Sequence, residues 1–115
     1  MARMPTGAGP LRELVAFDKR VPADDGYGNT VAAWAEQFQA AAAFVFVRGS
    51  ETVMAGRLEG RQSLIVRIRQ SATAREVTPE WQARDVRRGT LFNIRSIDAE
   101  RAMLDMLVET GVATG

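Results

Sequence analysis

Two adjacent carboxylates, Asp24 and Asp25, are the first residues in this chain whose types and spacing invite a chemical reading. Paired acids can hold a hard cation or divide acid and base roles between them. Here they run straight into Gly26-Tyr27-Gly28-Asn29. Asp-Gly and Gly-Asn supply the positive-φ positions of a tight turn, so the pair reads as a solvated turn. The same glycines make no phosphate loop, because no Gly-Lys-Ser/Thr follows them. Ser50 and Ser63 are hydroxyls without a partner: the chain has no histidine and no cysteine, and Lys19 is its only lysine. A histidine-dependent triad, a thiolate nucleophile, and thiolate or imidazole metal ligands are therefore excluded, and the commonest general base is missing. The residues point to a protein that is not an enzyme and takes no metal or cofactor.

Charge comes next. Fifteen basic residues face fourteen acidic ones, so net charge makes no case for nucleic-acid binding. All the basic residues except Lys19 are arginine. A GC-rich genome accounts for that bias, and so does the arginine fork, which suits interfaces and phosphate contacts. Arg61, Arg67 and Arg69 alternate along one strand face. They read either as a solvent-facing row with long stems on the surface or as a wall turned to DNA phosphates or an acidic neighbour. Trp34 and Trp81 read as core or interface anchors. No aromatic ladder interleaved with basic residues is present, which argues against single-strand stacking.

These residues must be positioned by the elements around them. The chain has 115 residues, the size of one domain with a modest core. No apolar run approaches the ~20 residues of a membrane span, and Met1 to Pro10 lacks the apolar stretch of a secretory signal. Residues 1–10 read as a flexible arm and 111–115 as a loose tail, leaving 11–110 as the domain. Leu11 to Arg20 reads as a strand, and Val21 to Thr30 as a turn segment. Val31 to Ala43 is ambiguous: Val31, Trp34, Ala35, Phe38 and Ala42 sit at helical spacing, yet Phe44 to Val47 continues as a strand. Gly49 to Gly60 is a glycine-bounded insert in which Ser50 could cap a short helix. Arg61 to Arg69 alternates, with Leu64, Val66 and Ile68 on one face. Ser71 to Glu76 is a polar connection, and Thr78 to Trp81 is a turn or a single helical turn. Ala83 to Val86 and Leu91 to Ile97 form a hairpin around Arg87-Arg88-Gly89, and Ala99 to Glu109 fits either a helix or a strand. The sum is a mainly β, single-domain small barrel with a long inter-strand loop and at most one or two short helices.

The order of these features resembles a known family. L-R-E-L-V-A-F-D-K-R (Leu11 to Arg20) precedes D-G-Y-G-N-T-V-A-A-W (Asp25 to Trp34). Then follow G-S-E (Gly49 to Glu51), the alternating strand, T-P-E-W (Thr78 to Trp81) and G-T-L-F-N-I-R-S-I (Gly89 to Ile97). Over Leu11 to Glu109 this looks like the head–tail joining proteins of tailed phages, also called head-closure or stopper proteins. The stretch from Gly49 to Gln62 looks most like the versions in gene transfer agents.

The resemblance implies a small β-barrel that assembles into a homo-oligomeric ring, commonly dodecameric. Its partners would be the portal or adaptor protein on the head side and a tail terminator or tail tube protein on the other, with packaged double-stranded DNA in the channel. The protein would be part of a virion assembled in the bacterial cytoplasm, with no membrane contact. The loop at 49–60, with Ser50, Glu51, Met54, Arg57 and Leu58, would project into the channel and help retain DNA. Arg61, Arg67 and Arg69 would face that channel. The resemblance also favours strands over helices for Val31 to Val47 and Arg101 to Glu109. Near-neutral charge suits a protein that sits beside DNA without gripping it. Two other readings stand beside this one: a tail-terminator or tail-completion protein of the same particle, and a free small-barrel module that binds nucleic acid or peptide.

Overall fold

Alternation of side chains is the rule along most of this chain, and the computed structural model turns it into strands; it describes residues 11–46 and 62–110. Six strands follow in order: β1 (Glu13–Asp24), β2 (Thr30–Phe46), β3 (Gln62–Arg69), β4 (Gln82–Asp85), β5 (Leu91–Glu100) and β6 (Met103–Thr110). A single 3-10 turn, Ala74–Glu76, lies between β3 and β4. Every pairing is antiparallel, and the strands close into a barrel in the order β1-β2-β3-β6-β5-β4.

The inward residues come from all the strands. Val15 and Phe17 of β1, Leu64, Val66 and Ile68 of β3, Phe92 and Ile94 of β5, and Leu104, Met106 and Val108 of β6 meet in one cluster. Phe17 stacks on Phe38 with ring centres 4.9 Å apart, and Trp81 meets Phe38 edge-on at 6.5 Å. Phe44 meets Phe92 edge-on at 5.7 Å. Two register shifts bend the wall: Phe17 and Asp18 pair with Phe38 and Glu36, passing over Gln37, and Ile94 and Ser96 pair with Val108 and Leu107, passing over Arg95. An extra residue of this kind curves a strand, which closing a six-stranded barrel requires.

One sequence expectation changes, and one ambiguity is resolved in favour of the strand. The turn expected over Val21 to Thr30 is confined to 25–29, because β1 runs on to Asp24 and pairs with β2 all the way, Asp24 opposite Thr30. Helical spacing over Val31 to Ala43 is overridden: these residues form one continuous strand. Cross-strand partners on β1, such as Ala40 opposite Val15, hold the alanines extended against their local preference. The segment from Ala99 to Glu109 is the end of β5, a turn and β6, so the strand alternative holds there.

The ribbon and the end of β2 lie at opposite ends of the barrel. β1 pairs with β4 only from Val15 to Asp18, and β2 pairs with β3 only from Ala42 to Phe46. Beyond these limits, Lys19–Asp24 and Thr30–Ala35 pair with each other alone and form a two-stranded ribbon. At the other end Phe46 faces Leu64, and Gln62 faces Thr110. The junction of β2 with β3 therefore lies at the end of the barrel away from the ribbon tip.

Candidate functional site

The outward face of β3 carries the arginines singled out by sequence. Leu64, Val66 and Ile68 are buried, so Ser63, Ile65, Arg67 and Arg69 point away from the core. Arg67 stands opposite Asp105 of β6. Its Nε donates to Asp105 Oδ1 at 2.7 Å and its Nη2 to Oδ2 at 2.8 Å, a two-pronged fork. Both side chains are only 17% exposed. The Asp105 carboxylate holds the Arg67 guanidinium above its ordinary pKa. Arg67 thus brings little unbalanced charge to this wall. Arg69 ends the strand, exposed, at the rim of a cleft. Arg61 and the loop residues Ser50, Glu51, Met54, Arg57 and Leu58 lie outside the described residues.

Two further ion clusters fix elements to one another. Asp18, 4% exposed beside the Gln37 bulge of β2, accepts from Gln82 Nε2 at 2.9 Å and from the Arg84 guanidinium. Arg84 also reaches Glu36 Oε1 at 2.8 Å, so β4, β1 and β2 are tied at one point. Carboxylates on both sides raise the Arg84 pKa. At the opposite end Asp85 organises the β4–β5 turn. It accepts from the backbone N–H groups of Arg87 and Arg88 and from Arg88 Nη1, which also binds Glu13 at 2.8 Å. Burial pushes the Asp85 carboxyl up, but the Arg88 side chain and the two N–H donors outweigh it, and the net pKa is lowered. Gly89 closes this turn at φ 78°, a conformation that suits glycine.

Asp24 and Asp25 form the turn that sequence indicated. Asp24 Oδ1 accepts from Gly26 N–H at 2.9 Å, and Asp25 Oδ1 accepts from Tyr27 N–H at 2.7 Å and Asn29 N–H at 3.2 Å. The Tyr27 N–H is the main cause that keeps the Asp25 carboxyl below its usual range. Among the described residues no group of three or more Asp, Glu, His or Cys is arranged to hold a metal.

Sequence reasoning did not separate the ribbon from the barrel. One ribbon face carries Val21, Ala23, Val31, Ala33 and Ala35, and the other pairs Arg20 with Trp34, the guanidinium 4.8 Å from the ring centre. Trp34 therefore braces the ribbon, while Trp81 packs against the core. The signal was present: two alternating runs of small apolar residues flank the Asp24–Asn29 turn in matching phase. At the ribbon's root lies a cleft of about 400 Å3 lined by Leu11, Phe38, Gln39, Ala40, Ala41, Arg69, Ser71, Thr73 and Ala74. It follows the stretch of β2 that β3 does not reach.

The profile of one family, described as phage head completion protein, matches residues 7–111. The chain belongs to the phage head completion protein family. Its members are structural components of virions, so this head completion protein is a virion component that associates with other parts of the particle. Solved structures share the fold. Protein SF1141 from Shigella flexneri 2a, in solution, is 19% identical with a TM-score of 0.65, covering 93% of this chain and 98% of its own. A chain from the virion of a native gene transfer agent particle is 20% identical with a TM-score of 0.56, covering 88% of this chain and 94% of its own. No curated protein matches the chain.

Proposed function

We propose that this head completion protein is a head-closure, or stopper, subunit: copies form a ring, commonly of twelve, between the portal or adaptor above and the tail terminator or tail tube below. The role is structural, with no turnover. Membership of the head completion family supports the placement at the head. The observation that carries the reading further is that the ribbon tip lies at one end of the closed barrel and the end of β2 with the start of β3 at the other. A subunit that must contact components on two sides needs reach in two directions.

In this reading the loop at 49–60 projects from the barrel end opposite the ribbon and helps retain DNA, with Met54 and Leu58 closing the channel and Ser50, Glu51 and Arg57 beside them. The face of Arg61, Arg67 and Arg69 turns to the channel. Compensation of Arg67 by Asp105 fits that placement, because an unpaired arginine row would bind phosphates and resist DNA passage. Purified particles carrying an affinity-tagged copy test the proposal. A ring of this protein located by electron microscopy between portal and tail is the expected result, and deletion of residues 50–59 is expected to release DNA from otherwise complete heads. A ring located at the distal end of the tail, or a hexamer on tail tubes, would overturn it in favour of tail termination. A monomer absent from particles, with salt-dependent DNA affinity, would overturn it in favour of a free binding module.

A further inference from the structure

Tyr27 is 88% exposed at the tip of the ribbon, and tyrosine is a side chain enriched at protein interfaces. The tip that carries it is stiff. Asp24 and Asp25 accept three backbone N–H groups there, and Gly26 and Gly28 hold φ of 86° and 83°. A preorganised loop loses little entropy on docking. The ribbon behind it has only two strands, and such a hairpin is marginal in water unless something packs on it.

The cleft at the ribbon's root has the complementary properties. Phe38, Ala40, Ala41 and Leu11 make it apolar, and Arg69 with the hydroxyls of Ser71 and Thr73 gives it a polar side. Neither Arg69 nor Arg75, on the adjoining 3-10 turn, forms an ion pair among the described residues. The tip is acidic, and the two arginines bordering the cleft have no carboxylate partner among the described residues. A tip cannot reach its own cleft, because the eight steps from Thr30 to Phe38 span roughly 26 Å of extended strand.

We propose that Tyr27 of one subunit seats in the cleft between β2 and the 3-10 turn of a second copy of this chain, with Asp24 and Asp25 facing that copy's Arg69 and Arg75. Tip and cleft are different patches, so the contact is heterologous and propagates from copy to copy. Its closure into a ring rests on the function proposed above; the contact itself does not.

The chain has no native cysteine, which makes the test direct. Particles are made with the double variant Tyr27→Cys, Thr73→Cys, oxidised, and separated without reductant; native mass spectrometry of the same protein gives its assembly size. A ladder of cross-linked multimers that ends at the ring size is expected, with monomers from each single variant. A ladder without any closed ring would support the contact and reject the ring. A ring without a ladder would reject the contact and leave the ring intact. Dimers from Tyr27→Cys alone, or its capture of a different virion protein, would overturn the proposal. So would a cross-link within one chain between Thr6→Cys and Thr73→Cys, which would make the N-terminal segment the occupant. Tyr27→Ala provides the second readout: incorporation into particles falls at least tenfold with the melting temperature unchanged, and normal incorporation would count against the seat.

Discussion

Arg67 and Asp105, 38 residues apart in sequence, face each other across β3 and β6 and join by two parallel hydrogen bonds of 2.7 and 2.8 Å. The fork balances the middle arginine of the row, while Arg69 at the end of the strand stays exposed. Removing the carboxylate takes the two-pronged acceptor from a mostly buried guanidinium. Asp105→Ala is therefore expected to cost about 1–3 kcal/mol in denaturant unfolding, more than Arg67→Met, which keeps the apolar stem. The same variant should raise non-specific DNA affinity and steepen its salt dependence by about one phosphate contact. Unchanged DNA binding would show that this face never meets phosphate.

The Asp85 carboxylate ties a chain reversal to the barrel end, and its pKa is lowered from an ordinary value of 3.8. A depressed folded-state pKa means that the unfolded chain binds the proton more readily. The stabilisation is then complete above the ordinary value and is lost as pH falls through the folded one. Asp85→Asn removes the charge and keeps the shape. It is expected to be less stable than the native chain by about 1–3 kcal/mol at neutral pH. The gap should narrow in acid melts below about pH 4, and a constant gap would mean that the turn does not depend on ionisation.

Much of this architecture is legible in the sequence because burial on one face writes a period of two. Leu64, Val66 and Ile68 announce β3 on their own. β2 is not legible in the same way: its alanines prefer a helix, and only pairing with β1 keeps them extended. The length of β1 was hidden by Pro22 and the Asp-Gly signal, since nothing local says that two strands continue past the barrel as a free ribbon. The arginine row was visible as spacing, but its neutralisation was not. Which acid stands opposite Arg67 depends on a register set by distant strands. The cleft is illegible for the same reason, since it exists only where β3 stops short of β2's full length.

Phe17 is fully buried at the point where the bulge, β4 and the aromatic group of Phe38 and Trp81 converge. Truncation leaves a cavity that closed barrel walls cannot collapse to fill. Phe17→Ala is expected to destabilise by about 3–5 kcal/mol, read by urea unfolding. Phe17→Leu should cost clearly less. Equal costs would indicate that ring stacking, more than volume, sets the stability of this end.

The ribbon and the barrel should open independently. Lys19–Asp24 and Thr30–Ala35 are hydrogen-bonded only to each other, while barrel strands from Val15 to Asp18 have neighbours on both sides. Local opening of a two-stranded hairpin breaks few contacts, so its amides should exchange with deuterium well before those of Val66 or Met106, which open only with the whole domain. Trp34→Ala removes the brace over Arg20 and should accelerate exchange in the ribbon alone, leaving the barrel's protection and melting temperature unchanged. Assembly reverses the difference: once the ribbon is held against another subunit, its exchange should slow by an order of magnitude or more, while the barrel, already protected, changes little. Equal exchange of the ribbon in free and assembled protein would mean that no neighbour covers it.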